Sequence, residues 1–155
     1  MNADTATRLP ERLESTISDL EALADRAERI EALIALAGTF REVPATIATR
    51  PFPADHRVAG CESEAYVWSE TLDDGTLRFH FAVENPQGIS AKAMAALLAR
   101  TISGAPLAEV ARLPTEVVYR VFGHELSMGK SMGLMGMIQS VQREAVRALA
   151  ARPGA

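Results

Sequence analysis

The sequence predicts an α+β fold of two layers, in which a small antiparallel β-sheet packs against helices. Apolar residues recur at helical spacing near both ends of the chain, and strand-forming residues cluster between them around Asp73-Asp74-Gly75. This order of helices, sheet and helices is typical of two-layer α+β domains. The chain has 155 residues, so we expect a single domain over residues 1–155, with flexible ends at residues 1–8 and 152–155.

The N-terminal part predicts two helices and a linker. The spacing of its apolar residues favours a first helix from about Pro10 to Leu23. Asp25 and Glu28 have the spacing of a capping box at the start of a second helix, which we expect to end near Gly38. The apolar stripe of this second helix consists of Ile30, Leu33, Ile34 and Ala37. Three prolines then predict an irregular linker over residues 43–55.

The middle of the chain predicts a β-hairpin. Residues 57–58 are expected to form a short strand that leads into a loop with the single cysteine, Cys61. Residues 66–68 and Thr76–Val83 are expected to be strands, joined by a turn at residues 73–75 whose glycine tolerates positive φ. The second strand alternates Leu77, Phe79 and Phe81 with Arg78 and His80, which predicts one buried face.

The C-terminal part predicts four more helices. Ser90 is expected to cap a helix that runs to about Thr101, and two short helices are expected over Leu107–Leu113 and Thr115–Phe122. A long closing helix follows, with an apolar stripe of Leu134, Ile138, Val141, Ala145 and Leu149. Small residues at its start predict close approach of another backbone; they are Gly129, Gly133 and Gly136.

The composition excludes several classes of protein. The formal net charge of -4 argues against nucleic-acid binding, which needs a basic face. No apolar run approaches the roughly 18 residues of a membrane span, and the first residues have no apolar core typical of a secretion signal. A single cysteine fits a reducing compartment. We therefore expect a cytoplasmic protein that does not bind membranes.

Cys61 lies between Gly60 and the polar run Glu62-Ser63-Glu64. One thiol cannot close an internal disulfide, and zinc and iron–sulfur sites usually need three or four protein ligands. Cys61 is therefore either a packed core residue or a reactive thiol. Its neighbours favour an exposed turn, and loops often carry function.

A reactive thiol at this position needs positive charge nearby, because Glu62 and Glu64 oppose thiolate formation. The candidates are His56 and Arg57 just before the loop, a distant basic residue such as Lys130 near the start of the closing helix, and the active site of a partner.

Neither the histidines nor the run around Lys130 predicts an enzyme site. His56, His80 and His124 show neither helical pairing nor the spacing to Cys61 of a metal site. A Cys–His hydrolase also needs a third, orienting group, and none can be assigned. The run Gly129-Lys130-Ser131 resembles the end of a phosphate-binding P-loop, but His124 occupies the place of its first glycine.

The run His56-Arg57-Val58-x-Gly60-Cys61-x-Ser63-x-x-x-Val67-Trp68 resembles the signature of the SufE family, the sulfur acceptors of iron–sulfur cluster biogenesis. The resemblance covers roughly residues 20–148 and includes the run Leu126-Ser127-x-x-x-Ser131-x-Gly133-Leu134. The chain departs from the family pattern at residues 84–88, where an acidic stretch is common, and at Lys130, where arginine is common.

This resemblance implies a fold like that of the IscU scaffold proteins, and it implies that Cys61 is the covalent residue. The supporting residues would be Gly60, Arg57, Ser63, His56 and Lys130. Cys61 would accept persulfide sulfur from a cysteine desulfurase like SufS or CsdA, by the chemistry of thiol exchange. The chain itself would need no cofactor, because the PLP belongs to the desulfurase.

The resemblance also implies that the chain stimulates the desulfurase and passes sulfur to a cluster scaffold or another acceptor. It would thus be a carrier and activator rather than an independent enzyme, as a monomer or a homodimer. We expect its cysteine loop to be tucked inward in the free protein and to swing outward in the complex. Two alternatives are a cluster scaffold that shares ligands across a dimer and a non-catalytic interaction domain with a packed cysteine.

Overall fold

The computed structural model describes residues 8–152. The ends that we expected to be flexible fall largely outside this range, at residues 1–7 and 153–155. The chain has α+β architecture, as the sequence predicted. Its helices are α1 (Glu11–Glu21), α2 (Arg26–Gly38), α3 (Ile89–Thr101), α4 (Leu107–Ala111), α5 (Val117–Phe122) and α6 (Met128–Ala150); its strands are β1 (Ala65–Thr71) and β2 (Leu77–Val83), and a 3-10 turn spans Ala54–His56.

The helix α1 buries one apolar face in the main core, through Leu13, Ile17 and Leu20. The cap of α2 differs from the predicted box: the Asp25 carboxylate accepts a hydrogen bond of 2.9 Å from the amide of Ala27, one residue earlier than the box requires. The predicted stripe of α2 is also incompletely covered, because Ile30 and Ile34 are about half exposed. Periodicity identified the helix, but the neighbouring helices cover only part of its apolar face.

The hairpin has the predicted strands and an antiparallel register that pairs Val67 with Phe81. The predicted strand at residues 57–58 is reduced to a single bridge between Arg57 and Tyr66. One face of the sheet packs on the helices and forms the main core; it carries Ala65, Val67, Leu77, Phe79, Phe81 and Val83. This alternation confirms the buried face expected for β2.

The opposite face of the sheet is covered by the proline-containing linker. Val43 and Phe52 of the linker form a second apolar cluster with Tyr66, Trp68 and Ala82 of the strands. The amide of Val43 donates a hydrogen bond of 2.8 Å to the carbonyl of Phe81, which attaches the linker to the edge of β2. The sheet is thus enclosed on both faces, so its strands are fixed under the cysteine loop.

The C-terminal helices form where the sequence predicted them, although each of the two short helices is two residues shorter than expected and one cap differs. Gly88 is the N-cap of α3 and Ser90 lies inside its first turn, because the helix begins two residues earlier than a cap at Ser90 would place it. At α6 the hydroxyl of Ser127 accepts a hydrogen bond of 3.2 Å from the amide of Lys130. Within residues 8–152, no helix has the length and apolar character needed to cross a membrane.

Candidate functional site

Cys61 lies in a short loop whose base is closed by a hydrogen bond of 2.8 Å from the amide of Val58 to the carbonyl of Ala65. Gly60 has a φ of 74° and Glu64 a φ of 53°, so the loop turns through left-handed backbone on both sides of the cysteine. Glycine takes this conformation at little cost, as expected for Gly60. Glu64 is the one non-glycine residue of the described chain with positive φ.

The far side of the loop is attached to the segment between β2 and α3. The amides of Asn85 and Glu84 donate hydrogen bonds of 3.1 Å to the carbonyls of Ser63 and Glu64. A Cβ atom at Gly88 would lie 2.8 Å from the hydroxyl oxygen of Ser63, so this glycine permits the close approach. Ser63 therefore serves as an attachment point of the loop.

Cys61 is buried, with 8% of its surface exposed. The expectation of an exposed turn was wrong for this side chain, although Gly60, Glu62 and Glu64 around it are exposed. The reason is long-range packing, because α6 presents Gly133 to the cysteine. A Cβ atom at Gly133 would lie 3.1 Å from the Cα atom of Cys61 and 3.4 Å from its Sγ atom. The predicted close approach to the glycines of α6 is confirmed, and the approaching backbone is the cysteine loop.

Both glutamates of the loop face positive charge. The Glu62 carboxylate lies against the first turn of α6, where Oε1 is 2.6 Å from the position of a Cβ atom at Gly129. The N-terminal end of a helix carries partial positive charge. Glu64 forms an ion pair of 3.8 Å with Arg57. The negative charges that the sequence placed beside Cys61 are therefore partly compensated within the chain.

Two cavities adjoin Cys61. The first has a volume of about 360 Å³, and its lining includes Ser63 and Lys130 together with Asn85, Gln87 and Ser90. The second is more open, has a volume of about 480 Å³ and is lined by residues 57–62 with Ala54. Lys130 and Ser63 border the first cavity, and Arg57 and Gly60 border the second. The structure thus places these four residues near the thiol, with one cation at each cavity.

His56 is placed elsewhere. Its ring stacks on Trp68 with 5.1 Å between the ring centroids, and its Nδ1 atom lies 2.8 Å from the carbonyl oxygen of Val67. It lines neither of the cavities that adjoin Cys61. The structure therefore gives His56 contacts to the linker-covered face of the sheet and does not bring it to the thiol.

An apolar groove continues from the first cavity. It has a volume of about 520 Å³ between α2, α3 and the segment before α6, and it shares Ile89, Ser90 and Lys130 with the cavity beside Cys61. Ile30 and Ile34 form one of its walls. Sequence reasoning missed the groove. It marked residues 84–88 as a departure from the family pattern but did not place Asn85 and Gln87 beside the thiol.

Within residues 8–152, no group of three or more His, Cys, Asp or Glu side chains is close enough together to hold a metal ion. Cys61 has no second thiol with which to share a ligand sphere. The arrangement that the site offers is a single buried thiol beside two cavities, each bordered by one cationic side chain.

Comparisons with known proteins show what the chain is similar to. SufE-like protein 1, chloroplastic/mitochondrial, from Arabidopsis thaliana is 24% identical over 139 residues, which are 89% of this chain and 36% of that protein. The chain thus spans about a third of the length of this curated relative. The solution structure of a hypothetical protein from Thermus thermophilus is 22% identical, with a TM-score of 0.73, and the match covers 93% of this chain and 100% of that one. The likeness shows a shared fold.

The family model described as "Fe-S metabolism associated domain" matches residues 14–145. The matched range includes the hairpin, the cysteine loop and most of α6. The chain therefore belongs to the SufE family, whose domain is associated with iron–sulfur metabolism.

Proposed function

We propose that this chain is a sulfur carrier that accepts persulfide sulfur on Cys61 from a PLP-dependent cysteine desulfurase. The Cys61 thiol first loses its proton. Its thiolate then attacks the outer sulfur of the desulfurase persulfide, a new S–S bond forms at Cys61, and the desulfurase cysteine leaves as a thiolate. The exchange conserves electrons and needs no added oxidant.

The single observation that carries this proposal is the placement of Cys61, the one thiol of the chain, in a loop beside two cavities. A carrier needs a solitary thiol, because a second thiol nearby would displace the bound sulfur by forming a disulfide. The burial of Cys61 would also shield a bound persulfide from solvent. This burial is consistent with a loop that is tucked inward in the free protein and swings outward in the complex.

Arg57 and Lys130 are the proposed electrostatic partners of the reacting sulfur atoms. Each borders one of the two cavities beside Cys61. Positive charge near a thiol favours its thiolate form. The Arg57 charge is shared with Glu64, so we assign the larger contribution to Lys130.

The proposed docking surface for the desulfurase is the start of α6 with the adjoining apolar groove. Met128 and Met132 are 79% and 57% exposed, and they lie in the same turns as Gly129 and Gly133, which contact the loop. Exposed apolar side chains of this size next to a reactive group are typical of interaction surfaces. Methionine also adapts readily to a partner surface.

Several finer expectations stay predictions. These are the choice between a SufS-like and a CsdA-like partner, the downstream scaffold or other acceptor, the absence of a cofactor, the state as a monomer or homodimer, and a cytoplasmic location.

The test is the turnover of candidate cysteine desulfurases with and without this protein, with mass spectrometry of the protein from the same samples. The wild-type chain should raise turnover and gain the mass of one sulfur atom, on Cys61. Cys61→Ser should abolish both effects while its circular dichroism spectrum and unfolding midpoint match those of the wild type. Normal stimulation by Cys61→Ser would contradict the proposal.

One observation favours the alternative of an interaction domain with a packed cysteine, namely the burial of Cys61. In that case a thiol reagent would label the native chain only as fast as the whole domain unfolds. Labelling that is faster than global unfolding favours the carrier, because it requires local opening of the loop.

A further inference from the structure

We propose that Gly133 is a positioning residue for Cys61, because its lack of a side chain lets the loop close with the thiol buried against α6. The contact is to the backbone of the loop as well as to its side chain: a Cβ atom at Gly133 would lie 3.1 Å from Cα, 3.4 Å from Sγ and 3.5 Å from Cβ of Cys61. The loop is attached at both ends, so its backbone atoms cannot move aside as the end of a flexible side chain can.

The neighbouring glycines of α6 make different contacts. A Cβ atom at Gly136 would lie 2.6 Å from the carbonyl oxygen of Ala59 and 2.9 Å from Cγ1 of Val58, so a side chain there would displace the base of the loop. At Gly129 the nearest atom is the carboxylate of Glu62, which can rotate away. Gly133 is therefore the position where a single methyl group acts on the cysteine itself with the least disturbance elsewhere.

Helix propensity also makes Gly133→Ala a selective test of the contact with Cys61. Glycine is among the poorest helix formers, and Gly133 lies in the interior of α6. Alanine at this position should strengthen the helix in both the closed and the open form of the loop. The helix contribution therefore cancels between the two forms, and the crowding at Cys61 remains as a selective cost to the closed form.

The consequence for sulfur transfer rests on the proposed function. If the desulfurase binds the form in which the loop is open, its apparent affinity is proportional to the fraction of molecules in that form. Gly133 then sets this fraction. It keeps the thiol covered in the free protein and makes opening depend on the partner.

The first experiment compares Gly133→Ala with the wild type by the rate at which a thiol reagent labels Cys61 in the native protein. The matched control is Gly38→Ala. Gly38 also lies in a helix, and apart from its chain neighbours and the backbone of that helix no heavy atom of the described chain lies within 4 Å of its Cβ position. Overpacking at a contact of this kind should raise the labelling rate of Gly133→Ala about fivefold or more. Gly38→Ala should label at the wild-type rate.

The unfolding midpoint separates positioning from a general loss of stability. Gly133→Ala should unfold at or above the wild-type urea concentration, and its labelling rate should not change in low urea, since local opening exposes little surface. A labelling rate equal to that of the wild type would overturn the proposal. So would faster labelling that is matched by a lower midpoint.

A second variant tests the contact without relying on crowding. In Gly133→Cys the introduced Cβ would lie 3.5 Å from that of Cys61, a separation that suits a disulfide. With oxidised glutathione, the two thiols lose two protons and two electrons, and the glutathione disulfide is reduced to two thiols. The internal disulfide should form much faster than in Gly129→Cys, whose thiol would face Glu62. Equal rates would contradict the placement of Cys61 against Gly133.

The desulfurase assay then distinguishes the two proposals. Gly133→Ala should lower the concentration needed for half-maximal stimulation by the same factor by which it raises labelling. Faster labelling with no stimulation by wild type or variant supports the positioning role and contradicts the proposed function. Stimulation by both proteins with an unchanged labelling rate supports the proposed function and contradicts the positioning role.

Discussion

The carboxylate of Glu62 lies against the first turn of α6, with Oε1 2.6 Å from the position that a Cβ atom of Gly129 would occupy. The residue that follows the cysteine thus places its negative charge at the positive end of the longest helix. This contact joins the cysteine loop to the closing helix. Together with the ion pair between Glu64 and Arg57, it explains how two glutamates can flank the thiol.

Replacing Glu62 by glutamine should weaken this contact. We expect Glu62→Gln to lower the free energy of unfolding by about 0.5 kcal/mol at low salt, as for other charges at helix ends. The loss should shrink at high ionic strength, because salt screens exposed charges. Urea unfolding at two salt concentrations measures both effects. Glu31→Gln, in the exposed interior of α2, is the control; a salt-independent loss in Glu62→Gln would argue against an electrostatic contact.

Gly60 should be sensitive to any side chain through its backbone alone. Its φ is 74°, and no heavy atom of the described chain beyond its two chain neighbours lies within 4 Å of its Cβ position, so contact with the rest of the fold plays no part. We expect Gly60→Ala to lower the free energy of unfolding by about 1 kcal/mol, the cost of left-handed backbone for an L-residue. Urea titration measures the change. Gly38→Ala, at an open position without positive φ, should show no loss; equal losses in both variants would remove the backbone explanation.

The ion-pair network of Arg120 should make stability depend on pH. Its guanidinium bonds Glu14 and Glu21, each at 2.8 Å, and the hydrogen bond from Arg120 holds the pKa of Glu21 below its ordinary value. Because the folded-state pKa is lowered, the contribution is complete above the ordinary glutamate pKa and is lost as pH falls through the folded-state value. Both carboxylates are partly exposed, so the contribution is less than about 1 kcal/mol.

Arg120→Met should therefore be less stable than the wild type at pH 7, and the difference should shrink as the pH falls below about 4. Urea unfolding across this pH range measures the difference. Arg147→Met is a matched control, because Arg147 pairs with Glu144 and is largely exposed. A difference between Arg120→Met and wild type that grows toward acid pH would contradict the assigned sign.

Met132 offers a test of the docking surface. We expect Met132→Asp to reduce desulfurase stimulation at least tenfold, because it places a charge in a desolvated apolar contact. Desulfurase turnover against protein concentration measures this. Val146→Asp is the control on the same helix, with 54% exposure against 57% for Met132, and it should stimulate normally. Equal loss in the two variants would show a general effect of negative charge and not a local docking surface.

Much of the fold could be predicted because its signals are local. The apolar period identified α1, α2 and α6, and the alternation of Phe79 and Phe81 with His80 identified the buried face of β2. The capping details at Asp25 and Ser90 differed, since helix ends depend on one or two backbone bonds that several residues can satisfy.

The candidate site was predictable only in its central residue. The motif around Cys61 identified the loop and its family. The structure places Arg57 and Lys130 at the cavities beside Cys61, and their role there stays a prediction. The pattern also suggested His56, which the structure places against Trp68. His56 ends the 3-10 turn before the loop, and its ring packs on the strand β1 through Trp68 and the carbonyl of Val67. Nearness to Cys61 in sequence does not reveal this long-range packing.

The sequence by itself determined the order of helices and strands, the solitary thiol and the membership of the SufE family. The tertiary structure alone decided that this thiol is buried, that Glu62 faces α6 and that Gly133 is the residue against which Cys61 packs. The physical reason is the separation along the chain over which each kind of interaction acts. Periodicity and turn chemistry act between residues a few positions apart, whereas the position of the cysteine depends on a helix that lies far along the chain and on the space that a missing side chain leaves there.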